Sequence, residues 1–312
     1  MCEANQTQVT QIYLFGFQPL HKFKPVLFTG FLLCYLMILI GNLLIIVLVS
    51  VVDFLKIPMF FFLTQLSIAD VLLTTSVVPK MLDIILAEEG RLSFAECIIQ
   101  LYCFCTFGFV QCFLIAIMSY DRYLAICNPL IYTSVMIPQV CFWLIGGSWL
   151  LILLIVSSEI ILLCQFNFCG SNKIDDFFCD FGPVVELSTS DTSSLLLQDF
   201  VTSIFAIFFP FVFIIITYIC IAFAIMKISS ASGRKKAFST CSSHLMTVCT
   251  YYVTLIIVYI APTNESGVNI NKYRSLLYVV ATPLMNPIIY SLRNKEIKKA
   301  LIKLISSIKT IC

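Results

Sequence analysis

Apolar residues run through this chain in long unbroken stretches, and charged residues are confined to the gaps between them. Val26–Val52 is free of charge and follows Lys22 and Lys24, and Pro58–Val78 is apolar apart from Asp70. Cys97–Tyr120 is uncharged and is followed at once by Asp121 and Arg122. The uncharged run Tyr123–Ser158 is broken by Asn128, Pro129 and Pro138, so its second part, Gln139–Ser158, reads as a span. Phe200–Met226, Ala237–Pro262 (carrying His244) and Ser275–Leu292, the shortest, complete the series. A membrane-crossing helix needs about 20 mostly apolar residues, and strands of a membrane barrel would alternate with period two, which these runs do not. The pattern predicts an all-α membrane protein, a seven-transmembrane helix bundle. After it, Ile297, Leu301, Leu304 and Ile305 share one helical face, and Lys295, Lys299 and Lys303 share another. That predicts a short amphipathic eighth helix in the headgroup region, with a frayed basic tail as the alternative. Residues 1–312 form one domain: 1–24 an extracellular tail, 25–292 the bundle, 293–312 the cytoplasmic eighth helix and tail.

Composition agrees. Sixty per cent of the 312 residues are hydrophobic, 12% are charged, and the mean hydropathy is +1.00, against about 25% charged in soluble domains. The chain lacks the polar surface to cover itself in water, and it is too apolar for disorder. A net charge of +2 leaves no basic footprint for nucleic acid. Residues 1–24 contain no basic segment followed by an apolar core, so no cleavable signal peptide is expected and the first span directs insertion.

With the N-terminus outside, most of the 19 lysines and arginines fall on the cytoplasmic side, among them Lys56, Arg122, Lys227, Arg234, Lys235, Lys236 and the cluster from Arg293 onward. Asn5-Gln6-Thr7 then becomes a glycosylation sequon on the outer tail. Asn264-Glu265-Ser266 fits the same pattern but lies close to the membrane. Most of the 15 cysteines sit inside apolar stretches as small hydrophobes. Cys97, Cys169 and Cys179 lie in polar loop contexts where oxidation would be useful.

Two features carry candidate chemistry. Asp70 is an isolated intramembrane carboxylate. Asn42 and Asn286 are its expected hydrogen-bond partners and a sodium ion its candidate ligand, with a protonated structural Asp as the alternative. Arg122 can pair with Asp121 at the membrane boundary and stay partly hydrated. One intramembrane carboxylate is too few for an ion path, no internal repeat suggests a transporter, and no nucleophile–base pair or metal-spaced cluster suggests an enzyme or a metal site.

Four long motifs then appear in order. They are Pro58-Met59-Phe60-Phe61-Phe62-Leu63; Met118-Ser119-Tyr120-Asp121-Arg122-Tyr123-Leu124-Ala125-Ile126-Cys127; Lys236-Ala237-Phe238-Ser239-Thr240-Cys241-Ser242-Ser243-His244-Leu245; and Pro283-Leu284-Met285-Asn286-Pro287-Ile288-Ile289-Tyr290-Ser291-Leu292-Arg293-Asn294. With Gly41-Asn42 and Leu66-Ser67-Ile68-Ala69-Asp70 they resemble the odorant receptor family, tetrapod-type class II, within the rhodopsin-like G-protein-coupled receptors. The resemblance covers essentially the whole chain. It implies a switch set of Asp70, Asp121, Arg122, Tyr123, Tyr218, Asn286, Pro287 and Tyr290, in which Arg122 is released to meet a heterotrimeric G protein of the stimulatory, olfactory type, raising cAMP. Pro287 removes a backbone donor and supplies a hinge beside Tyr290. It also implies a plasma-membrane location in olfactory neuron cilia, contact with membrane lipid, and no cofactor beyond the sodium ion.

The family pattern pairs Cys97 with Cys179, tying the 159–199 loop over the cavity mouth. Its usual second loop bridge has no partner for Cys169 here, which leaves Cys169 unpaired or paired with Cys164. The histidine that the family places before Phe177-Phe178-Cys179 is replaced by Asp176, so metal-assisted recognition is not expected. The ligand, a small lipophilic odorant, is expected between the third, fifth, sixth and seventh helices, as bundle sites are. Phe104, Cys105, Gly108 and Phe109 share one face of the third helix, Thr202 and Ala206 one of the fifth, and Tyr252 and Tyr259 one of the sixth. Ordinary helix packing is the alternative for each, and Tyr252 and Tyr259 are the leading candidates because buried phenols need a partner. Phe104 stands where amine receptors of the superfamily carry Asp, so a cationic amine has no evident anchor. Gln111 and Val253 replace a family Glu and Gly. A receptor of the same fold for a non-olfactory small molecule is the alternative reading.

Overall fold

The computed structural model describes residues 8–16, 22–87, 89–259 and 274–311, the side chains of 259, 305 and 307–311 excepted. Among the described residues, seven helices are long and apolar enough to cross a membrane: Lys24–Val51, Pro58–Ala87, Phe94–Cys127, Pro138–Leu163, Ser193–Lys227, Ala231–Val258 and Arg274–Arg293. They are the first to seventh spans below. Each forms where an uncharged run can satisfy its backbone only within itself, as lipid requires. The central window of the third span is 67% buried against 28% for the fourth and fifth, and it packs against the second, fourth, fifth and sixth. The fourth and fifth instead turn Phe142, Trp143, Leu154, Phe208 and Ile216 outward.

Several boundaries differ from the sequence expectation. The third span does not close at Asp121 but continues to Cys127; Asn128 and Pro129 end it there, and a short helix, Pro129–Val135, follows. The 159–199 segment is not wholly a loop, since Phe181–Val185 is helical and the fifth span begins at Ser193. The sixth starts at Ala231, so Arg234, Lys235 and Lys236 are helical and only residues 228–230 link it to the fifth. Arginine and lysine are good helix formers, so these charged residues extend the sixth helix rather than ending it. The fifth and seventh spans each contain a π-helical turn, at Ile204–Phe208 and Leu277–Ala281. The eighth helix, Lys295–Ile311, buries Ile297 and Ala300 and packs Leu301 and Leu304 on the bundle.

A three-stranded sheet at one end of the bundle was not foreseen. Strand β1 (Gln11–Leu14) lies between β2 (Gly90–Ser93), antiparallel, and β3 (Lys173–Ile174), parallel. Ile12 and Leu14 are fully buried beneath it. At the junction with the third span, the Ser93 side chain accepts from the Glu96 amide while Glu96 accepts from the Ser93 amide, a reciprocal cap that fixes where the helix begins. Asn5, on the expected sequon, and Asn264 lie outside the described residues.

Candidate functional site

The expected disulfide joins Cys97 to Cys179, with Cα atoms 5.5 Å apart. Gln100, one turn further along the third span, reinforces it: its Oε1 accepts from the Cys179 amide (2.9 Å) and its Nε2 donates to the Ser76 carbonyl of the second span (2.9 Å). The expectation for Cys169 is overturned. Cys169 is itself disulfide-bonded, whereas Cys164 is a free, exposed thiol.

Tethered by Cys179, the loop lays Phe178 on Phe104, ring centroids 4.8 Å apart, and Phe104 meets Tyr278 of the seventh span edge-on at 5.7 Å. Phe104 and Gly108 are buried, while Cys105 and Phe109 are half-buried. Gly108 faces the seventh span, where an added Cβ would collide with the Tyr278 hydroxyl. In the fifth span Thr202 and Ala206 are both buried, on one inward face despite the π turn beginning at Ile204. Asp180 caps the short helix after the disulfide, accepting from the Phe181 amide at 2.8 Å. Desolvation pushes its carboxyl up while that bond favours the charged form.

The sixth span contributes two adjacent tyrosines with different roles. Tyr251, which the sequence reading passed over, donates to the Gly108 carbonyl (2.8 Å) and lies 3.3 Å from the Tyr278 hydroxyl and 3.1 Å from Cys112 Sγ. It joins the third, sixth and seventh spans at one point. Tyr252 packs at a tilt against Phe211, ring centroids 4.6 Å apart, but its buried hydroxyl has no hydrogen-bond partner among the described residues. Buried phenols ordinarily have a hydrogen-bond partner, which sets Tyr252 apart from Tyr251. The Tyr259 side chain lies outside the described residues.

At mid-bundle Asp70 is fully buried. Its Oδ2 accepts from Asn286 Nδ2 (2.8 Å), as expected, but its Oδ1 accepts from Gln111 Nε2 (2.9 Å) rather than from Asn42. Asn42 instead donates to the Ile38 and Pro283 carbonyls, at 3.0 and 3.2 Å, binding the first span to the seventh. The Pro283 carbonyl is free for Asn42 because the residue four positions on is Pro287, which has no N–H to donate to it. The amide oxygens of Asn42, Gln111 and Asn286 are buried without hydrogen-bond partners. Oxygens around a carboxylate are the donor set of a hard cation.

At the opposite end from the disulfide, Arg122 is bound to Asp121 through both Nε (2.9 Å) and Nη2. Asp121 also accepts from Tyr132 of the Pro129–Val135 helix (2.8 Å). The pair is more secluded than expected, with Asp121 fully buried and Arg122 only 6% exposed. Tyr123 is half-buried and stacks on Tyr120 instead of joining the pair. Tyr218 of the fifth span reaches His244 Nδ1 (2.6 Å), and His244 Nε2 reaches the Ile115 carbonyl (3.2 Å). A carbonyl only accepts, so Nε2 carries the proton and Tyr218 donates to Nδ1; three spans are joined through one imidazole. Pro287 sits inside the seventh span, and the buried Tyr290 hydroxyl is enclosed beside Thr247 without reaching hydrogen-bonding geometry.

Comparison with known proteins agrees with this arrangement. Residues 31–308 match the family model described as olfactory receptor. The chain is 42% identical to human olfactory receptor 10A7 over 96% of its own length and 95% of that protein. It is also 42% identical to olfactory receptor 1M1 of Mus musculus, over 97% and 96%. Among solved structures, that of squid rhodopsin superposes with a TM-score of 0.72 at 18% identity, covering 94% of this chain and 88% of that one, a likeness of fold.

Proposed function

Because the chain belongs to the olfactory receptor family, we propose that it binds a small lipophilic odorant between the third, fifth, sixth and seventh spans and activates a stimulatory, olfactory-type G protein, raising cAMP. Membership makes it a multi-pass membrane receptor and not an enzyme. The disulfide end faces outside and the Arg122 end faces the cytoplasm, in the ciliary plasma membrane of an olfactory neuron.

One observation carries this reading. The third span holds the loop-covered aromatic wall at Phe104 near one end and the closed Asp121–Arg122 pair near the other. At roughly 1.5 Å per residue, Cys97 and Arg122 are about 37 Å apart along a single helix. A ligand that binds the state with the inner end open more tightly than the closed state shifts the population toward it. Asp70, held to both Gln111 and Asn286, sits between the two ends, and a sodium ion shared by its carboxylate and the neighbouring amide oxygens favours the closed state.

The test is cAMP in cells expressing the chain with an olfactory-type G protein, against a broad odorant panel. Arg122→Ala is expected to abolish the response at unchanged surface expression, and Tyr252→Phe to shift the ligand rank order. A surface-expressed receptor that moves another second messenger but never cAMP rejects the coupling.

A further inference from the structure

The wall where the fourth and fifth spans meet the disulfide loop carries more negative charge than an odorant pocket for neutral ligands needs. Glu159 is 3% exposed, and its Oε1 has no hydrogen-bond partner among the described residues. Its neighbours are satisfied. Ser157 meets the Tyr102 hydroxyl at 3.2 Å, and Ser158 accepts from Gln198 of the fifth span at 2.9 Å. These bonds clamp the third, fourth and fifth spans together around Glu159; Thr202 of the fifth span interacts with its carboxylate, and Oε1 is left without a partner.

Two further carboxylates lie within electrostatic range. Asp199 is within electrostatic range of both Glu159 and Asp180. Cys105, on the candidate cavity face of the third span, is within range of all three, and Thr202 stands beside Glu159. Among the described residues no lysine, arginine or histidine makes an ion pair with any of the three. Removing a carboxylate from water without a counter-charge is costly. Two remedies exist: the group takes up a proton, or a cation occupies the site.

We propose that Glu159, Asp199 and Asp180 form an acidic subsite of the ligand cavity that binds a protonated amine, the ammonium donating to Glu159 Oε1 while an apolar tail lies against Phe104 and Phe178. The inference rests on the cavity reading above. It reverses the sequence expectation that an amine has no anchor: Phe104 closes the third-helix position, and the fourth and fifth spans with the loop supply the acid instead. A charge-assisted hydrogen bond in a desolvated wall is stronger than a neutral one, so the subsite discriminates amines from alcohols of the same skeleton.

The full-length receptor in nanodiscs is heated with a panel of C4–C8 alkyl- and arylalkylamines and with the matching alcohols. The expected result is a rise in melting temperature with at least one amine at concentrations about tenfold or more below its alcohol. Glu159→Gln, which keeps shape and removes charge, is expected to abolish that preference, Asp199→Asn to weaken it, and Glu159→Asp to retain it in part. Equal stabilisation by amine and alcohol, stabilisation by alcohols alone, or a preference that survives Glu159→Gln overturns the subsite. cAMP measured on the same panel separates the two readings: alcohols that signal without amine preference leave the receptor function standing and reject the subsite. An amine that stabilises through Glu159 but never moves cAMP keeps the subsite and rejects the coupling.

Discussion

Neighbouring residues on one helix divide the labour in this receptor. Tyr251 and Tyr252 lie about 100° apart around the sixth span, and only the first has its hydroxyl satisfied. Tyr251→Phe deletes a buried donor shared among three spans, and a loss of about 1–3 kcal/mol of stability is expected, read as a lower melting temperature in nanodiscs. Tyr252→Phe removes a hydroxyl with nothing to lose inside the protein, so the ligand-free melting temperature is expected to stay put. The sequence reading named Tyr252 for the ligand wall and passed over Tyr251, because spacing places a residue on a helix face but does not say which hydroxyl finds a partner there. The Asp70 site shows the same limit. A buried carboxylate announces itself in an apolar run, yet which of Asn42, Gln111 and Asn286 reach it depends on helix rotation. Asn42 turned to Pro283 instead.

Elements were legible where lipid sets the rule. Every span follows from a run that is uncharged or, in the second, interrupted only by Asp70, and the breaks at Asn128, Pro129 and Pro138 fall where proline chemistry puts them. The terminal turns were not legible, since arginine and lysine propagate a helix as well as leucine does; Arg234–Lys236 therefore read as loop and fold as helix. Close packing between elements is equally hidden. Gly41 brings the first span against the seventh, where an added Cβ would sit 2.9 Å from both Cβ and Cγ of Pro287. A proline ring cannot swing aside, so Gly41→Ala is expected to cost about 1–3 kcal/mol and to lower surface expression. Gly30→Ala, with nothing within 4 Å of its added Cβ, is the matched control and should be silent.

Across the whole molecule, the two ends of the third span are held by different chemistry: a covalent tether with Gln100 at one, an ion pair closed by Tyr132 at the other. Weakening the second without touching the first biases the resting population. Tyr132→Phe removes one bond to Asp121, worth roughly 0.5–1.5 kcal/mol. Basal cAMP is expected to rise about two- to tenfold with the odorant rank order unchanged. An unchanged basal level at equal surface expression would show that Tyr132 does not hold the pair shut.

The sheet at the disulfide end imposes a timetable on biosynthesis. Tyr13 of β1 pairs with Lys173 of β3, so the first strand made waits for a partner about 160 residues later, on the order of ten to thirty seconds of translation. Until four spans have been threaded, β1 has an open edge of unpaired amides and carbonyls, the kind of edge that recruits other chains. Pairing of β1 with β3 is then the step that closes this edge, and a nascent chain that lingers before it is the form most prone to self-association.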